Sequence, residues 1–250
     1  MKNKYLENLN KIEFVLTYAC TGRCKHCSEG EHEARGESID GEVAAHAVES
    51  IAAEYDIKTV MTFGGEPLLC IDAVEQIMRA ARDADIPVRQ VITNGYFSES
   101  EEKIRKTAER MFAAGVNDLL LSVDAFHAEC IPQDTVRLFA REAVRQGIPI
   151  RLQPAWLVSP EDGNPYNRKT REILDSFAPL GIRVSEGNVV FPEGNALKYL
   201  GEYFKDKAPE NPYVENPRDV RCVSFSPNGD VLCGNVYATD IMEILKNYAP

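Results

Sequence analysis

The chain lacks any uninterrupted apolar run approaching the roughly 18–20 residues that a membrane span requires. Its opening stretch, MKNKYLENLNKIEFVLT, has neither the apolar core of a signal peptide nor a small-residue cleavage site. Internal repeats and low-complexity segments are missing too. Positive charge is in deficit: 28 Lys and Arg stand against 39 Asp and Glu, a net charge of −11. An acidic chain repels phosphate backbones, so nucleic acid is a poor partner. The expected setting is the cytosol, with no membrane partner. Thiols stay reduced there, so seven cysteines, an odd number, point to metal or catalysis before a disulfide framework.

What is present is an alternation. Strand-like runs stand at residues 12–17, 59–63, 88–94, 118–124, 148–154 and 182–191. Between them lie stripes of apolar residues at helical spacing, such as Val43, Ala47, Val48 and Ile51, or Val136, Phe139, Ala140 and Ala143. One such helix has a capping-box pattern at Ser98 and Glu101; another ends at Gly147. Strand, helix, strand in succession predicts right-handed crossovers and a parallel sheet, either flat and doubly wound or an open partial barrel. In both, ligands gather at the carboxyl ends of the strands. After about residue 205 the composition changes. Alternation on both sides of Pro227-Asn228-Gly229 predicts a β-hairpin. The expected division is a core over 1–205 and a C-terminal extension over 206–250.

Directly after the first strand, LTYACTGRCKHCSEG places Cys20, Cys24 and Cys27 within eight positions. A tight loop of this spacing can aim three thiolates at one centre, and soft thiolates favour zinc or iron–sulfur. Structural zinc usually closes with four ligands, and here the fourth would be His26, His32 or a distant cysteine. A cubane held by three cysteines leaves one iron open, which suits catalysis at the mouth of a sheet.

The C-x3-C-x2-C motif resembles the cluster motif of radical S-adenosylmethionine (radical SAM) enzymes. Phe63-Gly64-Gly65-Glu66-Pro67, after the second strand, resembles that family's GGE motif. The resemblance covers roughly residues 10–195 and implies an α/β fold, a partial (β/α)6 TIM-like barrel. It implies a [4Fe–4S] cluster whose open iron binds the amino and carboxylate groups of S-adenosylmethionine (SAM). One-electron reduction, from a donor such as flavodoxin or ferredoxin, then yields methionine and a 5′-deoxyadenosyl radical that takes hydrogen from substrate. Carried across, Cys20, Cys24 and Cys27 match the cluster ligands. His26 departs from the aromatic residue many members have there. Gly64, Gly65 and Glu66 match the segment receiving the SAM amino group. Asn94 ends the third strand. Ser122 and Asp124 stand where members hold the ribose hydroxyls, Gln153 is a further SAM contact, and Val189 and Val190 lie where adenine packs.

Other residues fall at the same end of the sheet. His127 could supply a proton or hydrogen bond to substrate, Cys130 could return a hydrogen atom to a substrate radical, and Trp156 could line the pocket. Cys70 reads as core. Cys222 and Cys233 flank the predicted hairpin, which resembles the opening of SPASM and Twitch extensions without their downstream cysteines. An auxiliary cluster there would need help from Cys70 or Cys130. The expected substrate is a peptide or small protein. The alternatives are a small molecule of cofactor or natural-product synthesis, or a non-catalytic zinc module.

Overall fold

The computed structural model describes residues 3–205 and 208–250. Five strands come first: β1 (Lys11–Val15), β2 (Thr59–Phe63), β3 (Val88–Thr93), β4 (Asp118–Ser122) and β5 (Ile150–Gln153). They then give β6 (Ala155–Trp156), β7 (Arg183–Val184), β8 (Asn188–Val189), β9 (Cys222–Phe225), β10 (Asp230–Val231) and β11 (Gly234–Asn235). Seven of these form one sheet in the order β7-β5-β4-β3-β2-β1-β9, with every neighbouring pair parallel. Helices α1 (Gly41–Glu54), α2 (Ile71–Asp83), α3 (Glu101–Ala114), α4 (Ala125–Ala128), α5 (Gln133–Gln146) and α6 (Pro165–Phe177) provide the connections. Helices α7 (Gly194–Leu200) and α8 (Ile241–Asn247) follow. This is the α/β architecture of a partial TIM-like barrel, as expected.

Local chemistry explains the ends. Asp40 caps α1 by accepting from the Glu42 and Val43 amides, and Gly115 and Gly147 close α3 and α5 in the left-handed conformation. The cap of α3 is Ser100 rather than Ser98: Ser100 accepts from the Lys103 amide, while Ser98 Oγ accepts from the Ser100 amide.

Two expectations need correction. The run 182–191 is not one strand. Gly187, at φ +78°, breaks it, and a Cβ there would stand 2.4 Å from the Pro154 carbonyl oxygen. The first half pairs with β5 and the second half with β6. Nor do the flanks of Pro227-Asn228-Gly229 form a paired hairpin. The turn closes through the Ser226 amide and the Asp230 carbonyl, but β9 lies parallel along β1, and β10 pairs with β11 instead. The pairing with β1 is reinforced by Phe14 stacked on Phe225, centroids 4.7 Å apart. Val220, Val223, Phe225, Val231, Ile241, Ile244 and Leu245 share one apolar core with the strands and helices of the first 205 residues.

The face of the sheet turned from this core is unusual for a barrel interior, which bulky apolar side chains ordinarily fill. Glu13, Met61, Gln90 and Asp118 stand in one row across β1 to β4. Lys11 pairs with Glu13, and Asp118 accepts from both Arg151 and Gln90. The result is a polar trough beneath the carboxyl ends of the strands.

Candidate functional site

The cysteine loop is built on the tip of β2. The Gly65 amide donates to Thr17 O and the Glu66 amide to Ala19 O, both at 2.8 Å. Glycine is required here by the backbone packing. A Cβ on Gly65 would sit 2.1 Å from Ala19 O, and one on Gly64, at φ +135°, 2.7 Å from Thr17 O. The two motifs read separately in the sequence are therefore one structure, with the GG pair forming the seat of the cysteine loop.

That loop frames a cavity of about 250 Å³ at the carboxyl ends of the strands. Cys20, Cys24, Cys27, Gly64, Gly65, Asn94, Ser122, Asp124, His127 and Gln153 all line it, as do His26, Val189 and Val190. Ser122 and Gln153 are register partners across β4 and β5. Asn94 reaches the loop directly, its amide nitrogen 3.2 Å from Thr21 Oγ1 and 3.6 Å from Cys20 Sγ. Cys27 Sγ lies 3.1 Å from His32 Nε2, whose Nδ1 is 2.8 Å from Tyr18 O.

Other expected residues sit elsewhere. Glu66 is fully enclosed and is not in the cavity wall. Its carboxylate accepts from Thr93 Oγ1 at 2.6 Å and from the Asn94 and Leu68 amides at 2.9 Å. Burial pushes its pKa up to about 7 against those three donors. Cys130 is also outside the wall. Its Sγ is 3.6 Å from Cys24 Sγ and accepts from the Arg23 amide. Trp156 is buried, with its indole N–H donated to Glu186 O. Asp124 does line the cavity, but its oxygens are 2.8 and 2.9 Å from His127 Nδ1, and it also accepts from the Ala155 amide. Burial alone would raise the Asp124 pKa; the His127 imidazole overrides it and holds the carboxyl at about 2. The same contact raises the pKa of His127 despite its burial.

The hairpin cysteines gain no third donor. Cys222 begins β9 opposite Lys11, at the amino end of the sheet, and Cys233 is exposed between β10 and β11. Among the described residues, the group of three or more donors close enough for one ion is Cys24, His26 and His127. An auxiliary cluster at Cys222 and Cys233 is therefore without support in this fold, because pairing with β1 carries Cys222 to the end away from the cavity.

Sequence reasoning missed Gly194 and Asn195. The Asn195 amide donates to Cys27 O, and its buried side chain donates to Cys24 O and Gly30 O. Gly194 lies so close that a Cβ would be 2.3 Å from Ser28 O. The start of α7 thus clamps the cysteine loop at Cys24 to Gly30. Asn195→Ala should lower the stability of the metal-free chain by about 1–3 kcal/mol, since two buried carbonyls lose their donor. Urea unfolding checks this, and an unchanged midpoint would remove the clamp from the account.

The donor set fits a three-cysteine cluster. Three thiols meet one cavity, and Gly22 leaves the space between Cys20 and Cys24 open: a Cβ there would be 3.2 Å from Cys24 Sγ and 3.7 Å from Cys20 Sγ. Burial pushes Cys20 up to about 11 and raises Cys27; the hydrogen bond to Cys130, with burial, raises Cys24. All three therefore keep their protons at neutral pH in the metal-free chain.

Comparison with known proteins agrees with this geometry. The family profile of the radical SAM superfamily matches residues 14–151. A protein named probable GTP 3′,8-cyclase from Saccharolobus islandicus (strain L.S.2.15) is 24% identical over 100% of this chain and 78% of its own length. Streptococcus suis SuiB, solved with S-adenosylmethionine bound, superposes with a TM-score of 0.66 at 16% identity over 96% of this chain; the chain spans 66% of SuiB's length. A third structure, anSMEcpe with bound AdoMet, gives a TM-score of 0.58 at 13% identity over 96% of this chain and 81% of its own. These two structural likenesses show the fold. No helix among the described residues is long and apolar enough to cross a membrane. With more than half of its length inside the family match and three thiols at the predicted cavity, the chain belongs to the radical SAM superfamily of enzymes, whose cofactors are a [4Fe–4S] cluster and S-adenosylmethionine.

Proposed function

We propose that this enzyme abstracts hydrogen from a peptide or small protein. The observation that carries the reading is the charge of the cavity. Among the described residues its wall contains no lysine and no arginine, while Glu29 and Asp124 are both in it. A nucleoside triphosphate would bring about four negative charges, and such groups are held by arginine, lysine or helix N-termini. An uncharged or mixed-charge substrate meets no such conflict. The trough below, with Lys11 beside Glu13 and Arg151 beside Asp118, offers both signs in alternation.

In this reading Cys20, Cys24 and Cys27 hold the cluster. Gly64 and Gly65 expose backbone to the SAM amino group, while Ser122, Gln153 and Asn94 present hydrogen-bonding groups to the rest of SAM. When bound and reduced by flavodoxin or ferredoxin, the cluster and SAM supply the 5′-deoxyadenosyl radical. Val189, Val190 and Phe191 wall the cavity against water. His127, fixed by Asp124, presents its second ring nitrogen to the site. The relatives named GTP 3′,8-cyclase favour a small-molecule substrate as the second reading.

The test is direct. Loaded, reduced enzyme should form 5′-deoxyadenosine slowly on its own. GTP should not accelerate it, and a short peptide encoded beside the gene should. A GTP-dependent rise with a cyclised nucleotide product would sink the peptide reading.

A further inference from the structure

Beside the cysteine loop lies a donor set of which the cluster uses only Cys24. Cys24 Sγ, one ring nitrogen of His26 and one of His127 lie within 4.8 Å of one another. Cys130 Sγ is 3.6 Å from Cys24 Sγ but does not belong to that group.

The two imidazoles are prepared in different ways. His127 Nδ1 lies between the two Asp124 oxygens, which places its proton there and leaves Nε2 as the open nitrogen. A carboxylate on the far nitrogen is the usual outer support of a zinc-bound histidine. His26 Nδ1 is buried and has no hydrogen-bond partner, whereas buried polar atoms ordinarily have one. Its ring is gripped by Phe126 and by the edge of His127, both at 4.8 Å between centroids. One thiol and two imidazoles, with a fourth position open to water, are a donor set that suits zinc over harder ions.

We propose that the chain, before its cluster is built, binds one zinc ion through Cys24, His26 and His127, with water in the fourth position, and that zinc and the [4Fe–4S] cluster exclude one another because both require Cys24. Binding forms one Zn–S, two Zn–N and one Zn–O bond and releases the Cys24 thiol proton to solvent; no electron moves. The second half of the proposal rests on the cluster assignment above. Zinc would act as a gate on maturation, occupying Cys24 until it is removed.

The experiment uses the full-length, metal-free chain under anaerobic conditions, with cobalt(II) as the optical probe. Wild type should take up one ion with the visible bands of a tetrahedral site and one thiolate ligand, and zinc should bleach them. Cys20→Ala/Cys27→Ala, which cannot hold the cluster, should keep the spectrum. His26→Gln/His127→Gln should bind cobalt at least tenfold more weakly, yet still load iron. Zinc-saturated wild type should take up less than a tenth of the iron of metal-free protein until a chelator is added. The proposal is overturned if Cys20→Ala/Cys27→Ala loses cobalt while His26→Gln/His127→Gln keeps it, or if zinc-saturated protein loads iron in full. Failure of the cluster assignment would show separately, as wild type that never loads iron in the absence of zinc.

Discussion

Replacing Cys20, Cys24 and Cys27 together by alanine should take anaerobically reconstituted protein from about four irons per chain to none. Among the described residues the three thiols line one cavity with no fourth cysteine in its wall, so no other thiol there can substitute for them. Cys222→Ala/Cys233→Ala should leave the count at about four, since neither residue approaches the cavity. A triple variant that retains full iron would overturn the ligand assignment. A wild-type count of about eight would reinstate an auxiliary cluster.

The same site predicts a pH dependence. Cys20 is pushed up to about 11 by burial, and Cys24 and Cys27 are raised as well. At neutral pH the metal-free chain holds all three protons, and iron must displace them. Loading should therefore become less favourable as pH falls and release up to three protons per chain. An indicator-dye titration during reconstitution would read this.

The sequence was most legible where chemistry and chain order coincide. Each βα unit is local, so the alternation of apolar runs with helical stripes marked β1 to β5 within a residue or two. Cys20, Cys24 and Cys27 are close in sequence and close in space, and the glycines of the second motif were visible as a request for tight backbone approach. What approaches them, the Thr17–Ala19 backbone, was not visible, because nothing in the spacing says which segment will lie there.

The rest depended on long-range pairing. β9 joins β1 across more than 200 residues. Its Pro-Asn-Gly sequel is a strong local turn signal, and that signal favoured the hairpin the fold does not make. Asn195 carries no sequence signature at all: an asparagine after a glycine at a helix start is ordinary, and only the fold brings it to Cys24 and Gly30. His127 and Asp124 were both legible as candidates at the end of β4, but their contact was not. An aspartate two residues beyond a strand looks free to meet a ribose, and here its oxygens are committed to the imidazole and to Ala155.

Glu66 gives the clearest separation between a ligand role and a structural one. If it held the SAM ammonium directly, Glu66→Ala would cost SAM affinity, by about 1.5–3 kcal/mol, and leave the metal-free fold intact. Its position argues otherwise. The carboxylate is fully buried and joins Thr93 and Asn94 at the end of β3 to Leu68 after the GGE turn, while the Glu66 amide holds the cysteine loop at Ala19. Glu66→Ala leaves three buried donors unpaired, and the metal-free chain should lose about 3–5 kcal/mol in urea unfolding. Glu66→Gln should lose less, because its oxygen can still accept from Thr93 and Leu68 while its NH2 group opposes the Asn94 amide. The sign of the pH effect follows from the raised pKa of about 7. A carboxyl that binds its proton more tightly in the folded chain contributes stability below its unfolded value near 4.5 and loses that contribution as pH rises through 7. Wild type should therefore lose stability relative to Glu66→Gln between pH 5 and 8, by an amount on the order of 3 kcal/mol. Equal pH profiles, together with an intact Glu66→Ala fold that binds SAM weakly, would return Glu66 to the SAM site.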